Sequence, residues 1–281
     1  MGVASPPASI WQSRALDPAA VLVRDRVAVV TGAARGIGAA TAVALARFGA
    51  HVAVCDRDAE GLGATRREIE ALGRRAVAAV LDVREEEAVR AFLAEVGDAL
   101  GAVHALVNNA GGGFFSPFLE VSAKGESALV RENFGSVTAF VRATVPRMTE
   151  GGSIVNVTSV EAHRAGPGFA IYSAMKAAVA NLTKSLALEL APLRIRVNCI
   201  APDMIPTPGD RGLAEASSAM ALPGVARAPW PEEGSVWDCA AAAVFLASDL
   251  SRFVTGSTLH VDGGTEAAGG WKRRADGGFT L

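Results

Sequence analysis

From Arg26 onward the chain alternates short β-branched runs with longer Ala- and Leu-rich stretches of helical period, and this alternation is its strongest constraint. Strands that each feed a helix cannot close into tight hairpins. They must lie parallel, with the helices crossing over both faces of one sheet. The strands read as RVAVVT, HVAVC, AVAAVL, HALVN, GSIVNVTS, IRVNCI and TLHV. Between them GIGAATAVALARFG, EEEAVRAFLAEVGDAL and YSAMKAAVANLTKSLALEL repeat apolar residues every three to four positions. Half of the 281 residues are apolar, enough for a substantial core, and no linker divides them. The expectation is a single α/β domain with a doubly wound parallel sheet over residues 25–265. An irregular N-terminal arm covers residues 1–24, a tail covers 266–281, and residues 202–235, rich in Pro, Gly, Ala and Met, interrupt the regular pattern.

Bulk properties exclude several classes. A formal charge of −2 gives no basic stripe to neutralise a phosphate backbone, so no nucleic-acid partner is expected. No uncharged apolar run approaches the roughly 18 residues of a membrane span. The run VLVRDRVAVV is broken by Arg24, Asp25 and Arg26. The opening MGVASPPASIWQSRALDPAA lacks the basic start and apolar run of a secretory signal, and Pro6 breaks the myristoylation pattern. The chain reads as soluble and cytoplasmic. Cys55, Cys199 and Cys239 are odd in number and set in apolar surroundings, which suits buried free thiols in a reducing compartment. His51, His104, His163 and His260 show no ligand spacing, so no metal is expected.

The first strand ends in TGAARGIG, Thr31 to Gly38, directly ahead of a helix. Gly32, Gly36 and Gly38 let the backbone turn sharply and approach a pyrophosphate, whose charge sits against free amides at the helix start. The second strand ends in Asp56, where the dinucleotide-binding pattern places an acid for the adenosine ribose hydroxyls. A glycine turn can serve packing alone and an acid after a strand is often a cap, so the combination carries more than either part. Tyr172 is a second oddity, the one tyrosine in a chain with 11 phenylalanines and 4 tryptophans. A core position accepts Phe without needing a partner for a hydroxyl, so a lone Tyr points to use of the hydroxyl itself. Lys176, four residues on, shares its helix face.

These segments resemble the short-chain dehydrogenase/reductase family from about Arg26 to Thr265. Its motifs stand in order: TGAARGIG, LDV with Asp82, NNAG at Asn108 to Gly111, ENFGSV with Asn133, IVNVTS with Ser159, YSAMK and RVNCIAP. The resemblance implies a Rossmann-type fold and hydride exchange between a nicotinamide dinucleotide and a small-molecule secondary alcohol or ketone. It makes Tyr172 the group that exchanges a proton with the substrate oxygen. A free phenol, with a pKa of about 10, is too rarely ionised near neutrality, and the ammonium of Lys176 favours the phenolate. Lys176 would also hold the nicotinamide ribose. Ser159 would orient the substrate oxygen, and Asn133 would hold a water that links the lysine to solvent. On the cofactor side the resemblance implies Gly32, Arg35, Gly36, Ile37 and Gly38 at the pyrophosphate loop. Asp82 would bond the adenine edge, Val83 pack on the ring, and Asn109, Ala110 and Gly111 approach the adenosine side. Pro202, Ile205 and Thr207 fall at the nicotinamide, with Thr207 on its carboxamide. The family usually follows this proline with glycine, whereas Asp203 stands here, and the spacing gives no account of it.

Cofactor choice turns on one charge. Asp56 suits a ribose diol and repels a 2′-phosphate, which favours NAD, while Arg35 and Arg57 lie where other family members bind that phosphate. Residues 203–235 would form a lid over the active site. Its Leu213, Met220, Leu222, Val225 and Trp230 suit a hydrophobic substrate, hydroxysteroid- or hydroxyacyl-like, and serve equally to pack the lid on the body. The resemblance further implies a homotetramer in which the helices carrying Asn133 and Tyr172 pair between subunits. Leu182, Leu186 and Leu190 either join that contact or face the sheet. The rival readings are an NADPH-dependent 3-oxoacyl thioester reductase and a binding protein that keeps the fold without turnover.

Overall fold

The computed structural model describes residues 17–203, 205–208, 226 and 228–280. Residues 1–16 of the expected arm, and Leu213, Met220, Leu222 and Val225 of the expected lid, lie outside them. Seven parallel strands form one sheet: β1 Val27–Thr31, β2 His51–Asp56, β3 Ala76–Val80, β4 Ala105–Asn108, β5 Gly152–Val157, β6 Ile195–Pro202 and β7 Thr258–Val261. Their spatial order is β3-β2-β1-β4-β5-β6-β7. All five residues of β1 are buried, as a strand covered on both faces requires.

Among the described residues, three long helices lie on each face. On one, α1 (Gly36–Arg47), α2 (Ala59–Ala71) and α7 (Val236–Ala247) share a core built from Ala42, Ala44, Leu45, Leu62, Ile69, Ala243 and Leu246. Alanines along both α1 and α7 let the two helices pack closely. On the other, α3 (Glu86–Leu100), α5 (Ser136–Thr144) and α6 (Ala170–Glu189) bury Phe92, Leu93, Phe140 and Val179 against Val29, Leu106, Ile154 and Val197. Before α5, α4 (Ala123–Val130) runs into a single π turn, Arg131–Gly135. The helices α2, α4 and α7 give no clear period in the sequence. Two glycines dilute α2, and VWDCAAAAVFLA in α7 is apolar all round because it is buried nearly all round. A capping box fixes its start: the Asp238 carboxylate accepts from the Ser235 amide at 2.7 Å.

Leu182, Leu186 and Leu190 pack, partly buried, against the core on the α6 face of the sheet. All three cysteines are buried, Cys55 on β2, Cys199 on β6 and Cys239 on α7, and burial pushes the thiols up, that of Cys239 to about 12. Past β7 the chain forms α8 (Thr265–Ala268) and a small antiparallel hairpin of β8 (Lys272–Arg273) and β9 (Phe279–Thr280). The Arg273 carbonyl accepts from the Ala226 amide, and the Gly263 carbonyl accepts from the Trp230 amide, both at 2.9 Å. Among the described residues no helix is long and apolar enough to cross a membrane.

Candidate active site

The chain enters the sheet at β1, moves outward through β2 and β3, then returns to β4 on the other side of β1. That reversal opens a crevice at the carboxyl ends of β1 and β4, where open parallel sheets bind ligands. The glycine turn lines it. Gly32 and Gly36 sit at φ +65° and +59°, conformations that an L side chain rarely adopts. A Cβ on Gly38 would lie 2.1 Å from the Gly32 carbonyl oxygen, so the turn closes only around glycine. Asn109 braces it, its amide nitrogen donating to the carbonyls of Thr31 (3.1 Å) and Gly32 (3.0 Å). The Thr31 hydroxyl accepts from the amides of Asn109 and Ala110. At the first turn of α1 the N-cap residue Arg35 offers no side-chain cap, which leaves the opening amides to a ligand. Ile37 lies half-buried in that turn.

The adenosine-side residues gather beside it. Asp56 ends β2 with both carboxylate oxygens engaged, accepting from the Ala34 amide at 3.0 Å and the Asp58 amide at 3.1 Å. Arg35 pairs with Asp58 at 2.9 Å, and Arg57 pairs with Glu132 at 3.4 Å. Asp82 takes both oxygens to Arg84, whose guanidinium holds this carboxyl down at about 2. Val83 is buried next to it. On the far side, Pro202 ends β6, Ile205 follows half-buried, and Thr207 lies against the glycine turn, 3.2 Å from where a Cβ of Gly36 would stand. A dinucleotide fits this donor set: backbone glycines for the pyrophosphate and a carboxylate at the end of β2.

Asn133, Lys176 and Tyr172 converge below the turn. Lys176 is buried on α6, its ammonium donating to the Val157 carbonyl at 3.0 Å, and desolvation lowers it to about 8. The ammonium lies 5.5 Å from the centre of the Tyr172 ring. Gly111 separates it from Asn133: a Cβ there would be 2.7 Å from the Asn133 amide oxygen and 3.1 Å from Lys176 Nζ. Asn133 sits in the π turn, a distortion often found at functional positions. Its amide group donates to the carbonyls of Gly112 (2.9 Å) and Leu129 (3.0 Å), and its oxygen accepts from the Gly112 amide (3.2 Å). Ser159 follows β5, two residues beyond the carbonyl that holds Lys176. Its hydroxyl oxygen accepts from the Glu161 amide at 3.2 Å, which leaves the hydroxyl hydrogen to donate elsewhere. Beneath the site a buried polar chain ties α6 to the sheet: Asn108 to Asn156 and Asn156 to Thr183, each at 2.8 Å.

Other residues at the cleft carry no motif. The Phe169 ring stands edge-on to both Phe115 (5.6 Å) and Tyr172 (6.4 Å), and Phe114 and Phe118 remain largely exposed nearby. The sequence reading missed them; the run of Phe114, Phe115 and Phe118 after NNAG is the signal that could have found three of the four. Asp203 now has a reason: its carboxylate pairs with Arg164 at 3.2 Å and its amide donates to the Val261 carbonyl, tying the end of β6 to the loop after Ser159 and to β7.

A doubly wound sheet with a glycine-lined crevice and a Tyr–Lys pair beneath it defines a nicotinamide-dinucleotide oxidoreductase. The family model described as enoyl-(acyl carrier protein) reductase matches residues 32–266. An uncharacterized oxidoreductase of Mycobacterium tuberculosis (strain CDC 1551 / Oshkosh) is 40% identical over 243 residues, covering 85% of this chain and 92% of that protein. Gluconate 5-dehydrogenase of Gluconobacter oxydans is 39% identical over 242 residues, 84% of this chain and 93% of that protein. Two solved structures superpose closely. A short-chain dehydrogenase from Mycobacterium paratuberculosis bound to NAD has a TM-score of 0.81 at 31% identity, covering 87% of this chain and 98% of the other. A gluconate 5-dehydrogenase from Burkholderia cenocepacia J2315 in complex with NADP and tartrate has a TM-score of 0.80 at 35% identity, covering 88% and 98%. The chain belongs to the short-chain dehydrogenase/reductase family, oxidoreductases of alcohol and keto groups.

Proposed function

We propose that this protein interconverts a hydrophobic secondary alcohol and its ketone with NAD as the hydride carrier. The single observation that carries the reading is the buried ammonium of Lys176, fixed on the Val157 carbonyl and facing the ring of the one tyrosine. The dinucleotide, when bound, supplies the hydride acceptor or donor. This chain's residues bind, orient and move the proton. Gly32, Gly36 and Gly38 with Asn109 hold the pyrophosphate loop, and Asp56 meets the adenosine ribose. In oxidation, Tyr172 as phenolate takes the proton of the alcohol oxygen, while Ser159 donates to that oxygen and sets its angle. The reverse reaction returns the proton from the phenol to the forming alkoxide. Lys176 stabilises the phenolate, and Asn133 fixes the Gly112 backbone and the turn beside it. Phe114, Phe115 and Phe169 form an apolar wall, which supports a substrate with hydrocarbon or ring surface near the carbonyl over a sugar. A homotetramer in the cytoplasm accompanies this reading, supported by the family and by three buried thiols.

The test is a panel of secondary alcohols offered with NAD, read by absorbance of the reduced cofactor, against Tyr172→Phe. The expected result is turnover with apolar alcohols, lost by at least about a thousandfold in the variant while NAD still binds. Near-normal activity of Tyr172→Phe would overturn the assignment, and strict dependence on NADP would overturn the cofactor.

A further inference from the structure

Three arginines at the adenosine end are already committed to acids. Arg35 is held by Asp58, Arg84 by Asp82 and Arg57 by Glu132. The third pair is the unusual one. Arg57 follows the ribose-side acid Asp56 directly, yet its guanidinium reaches across to Glu132, in the π turn one residue before Asn133. The Arg57 side chain is 59% exposed and that of Glu132 only 23%. A surface pair of this kind contributes little stability by itself. What it does fix is direction, because Glu132 rides on a turn whose next residue makes three hydrogen bonds to backbone groups.

Resting on the NAD reading, we propose that Glu132 is a specificity-determining residue for the cofactor: by holding the Arg57 guanidinium on the π turn, it withholds the cation that a 2′-phosphate beside Asp56 would need. A phosphate arriving there meets one carboxylate and must draw Arg57 away from a second, the 23%-exposed Glu132, which then loses its ion pair. A ribose diol requires neither change. Charge at position 132, remote in sequence from the dinucleotide motif, thus works together with Asp56.

Calorimetric titration with adenosine 5′-monophosphate and adenosine 2′,5′-bisphosphate tests this without turnover. Glu132→Gln, close in shape, should bind the bisphosphate about tenfold more tightly than the unaltered protein, with monophosphate affinity within about twofold. Arg57→Ala should remove that gain in the Glu132→Gln background, yet change bisphosphate binding by less than about threefold on its own. No gain in Glu132→Gln, a gain that survives Arg57→Ala, or an equal loss of both affinities would overturn the proposal. If the unaltered protein already prefers the bisphosphate, the NAD reading falls, and the coupling between positions 57 and 132 still decides this one.

Discussion

Lys176 is the residue whose surroundings most affect the chain's response to pH. Burial lowers it to about 8 from the 10.5 of a free lysine, so below pH 8 it is charged in both folded and unfolded chains and its desolvation opposes folding. Between about pH 8 and 10.5 the unfolded chain holds more protons, so this group's contribution to stability rises with pH and the opposition is gone above that range. Lys176→Met should therefore be more stable than the unaltered protein at pH 7, by about 1–3 kcal/mol after the lost bond to Val157 is counted. The advantage should fade toward pH 10.5 in denaturant titrations run across that range. An advantage that does not change with pH would place its origin in packing. Gly111 carries a second residue-scale prediction. A methyl group there collides with the buried, hydrogen-bonded Asn133 oxygen, which must shift to admit it, and crowds the Lys176 ammonium. Gly111→Ala should lower kcat about a hundredfold by displacing both groups, with a smaller change in dinucleotide affinity. Equal kcat in steady-state assays would show that the two groups tolerate separation.

At the scale of elements, the glycine turn is held from outside. Asn109, on the loop after β4, supplies two hydrogen bonds to carbonyls at the end of β1, and these strands meet at the crevice. Asn109→Ala leaves the Thr31 and Gly32 carbonyls without those donors, so it should cost about 1–3 kcal/mol by denaturant unfolding and weaken dinucleotide binding. Unchanged binding would mean that the turn keeps its shape unaided. The seven strands were legible because β-branched runs on a buried parallel sheet leave a pattern that few other structures share, and TGAARGIG, NNAG and YSAMK name their own positions. The rest depended on distances the sequence does not contain. Asp203 departs from the motif because its partner, Arg164, stands 39 positions earlier in the chain. Glu132 carries no motif of its own, since its ion pair joins it to Arg57, 75 positions earlier, and ion pairs across elements have no spacing rule. The π turn has no local signature, because what holds it is Asn133 bonding a different loop.

For the molecule as a whole, the tail and the far end of the expected lid form one structure. The β8–β9 hairpin bonds Ala226, and the turn after β7 bonds Trp230, so both anchors hold the segment that leads back to α7. Removing residues 270–281 should leave the sheet intact, with a Tm change below about 5 °C, while raising the substrate KM several-fold through loss of the Ala226 anchor on the expected lid. A collapse in Tm would assign the tail to the fold instead. Assembly is a separate question, since Leu182, Leu186 and Leu190 pack only partly buried against the core. Light scattering at micromolar concentration should nonetheless give a mass near four chains, and a monomer mass would refute the tetramer.

The three buried cysteines make this protein its own stopwatch. Each occupies a different element, β2, β6 and α7, and with its thiol shielded and held protonated it cannot meet an alkylating reagent until that element opens. Pulsed alkylation followed by mass analysis would therefore time the opening of three separate parts of the sheet and its covering without any introduced label. If the domain opens only as one unit, the three clocks run at one rate. If α7 lifts away first, Cys239 is modified ahead of the others, and the order of modification maps how this enzyme comes apart.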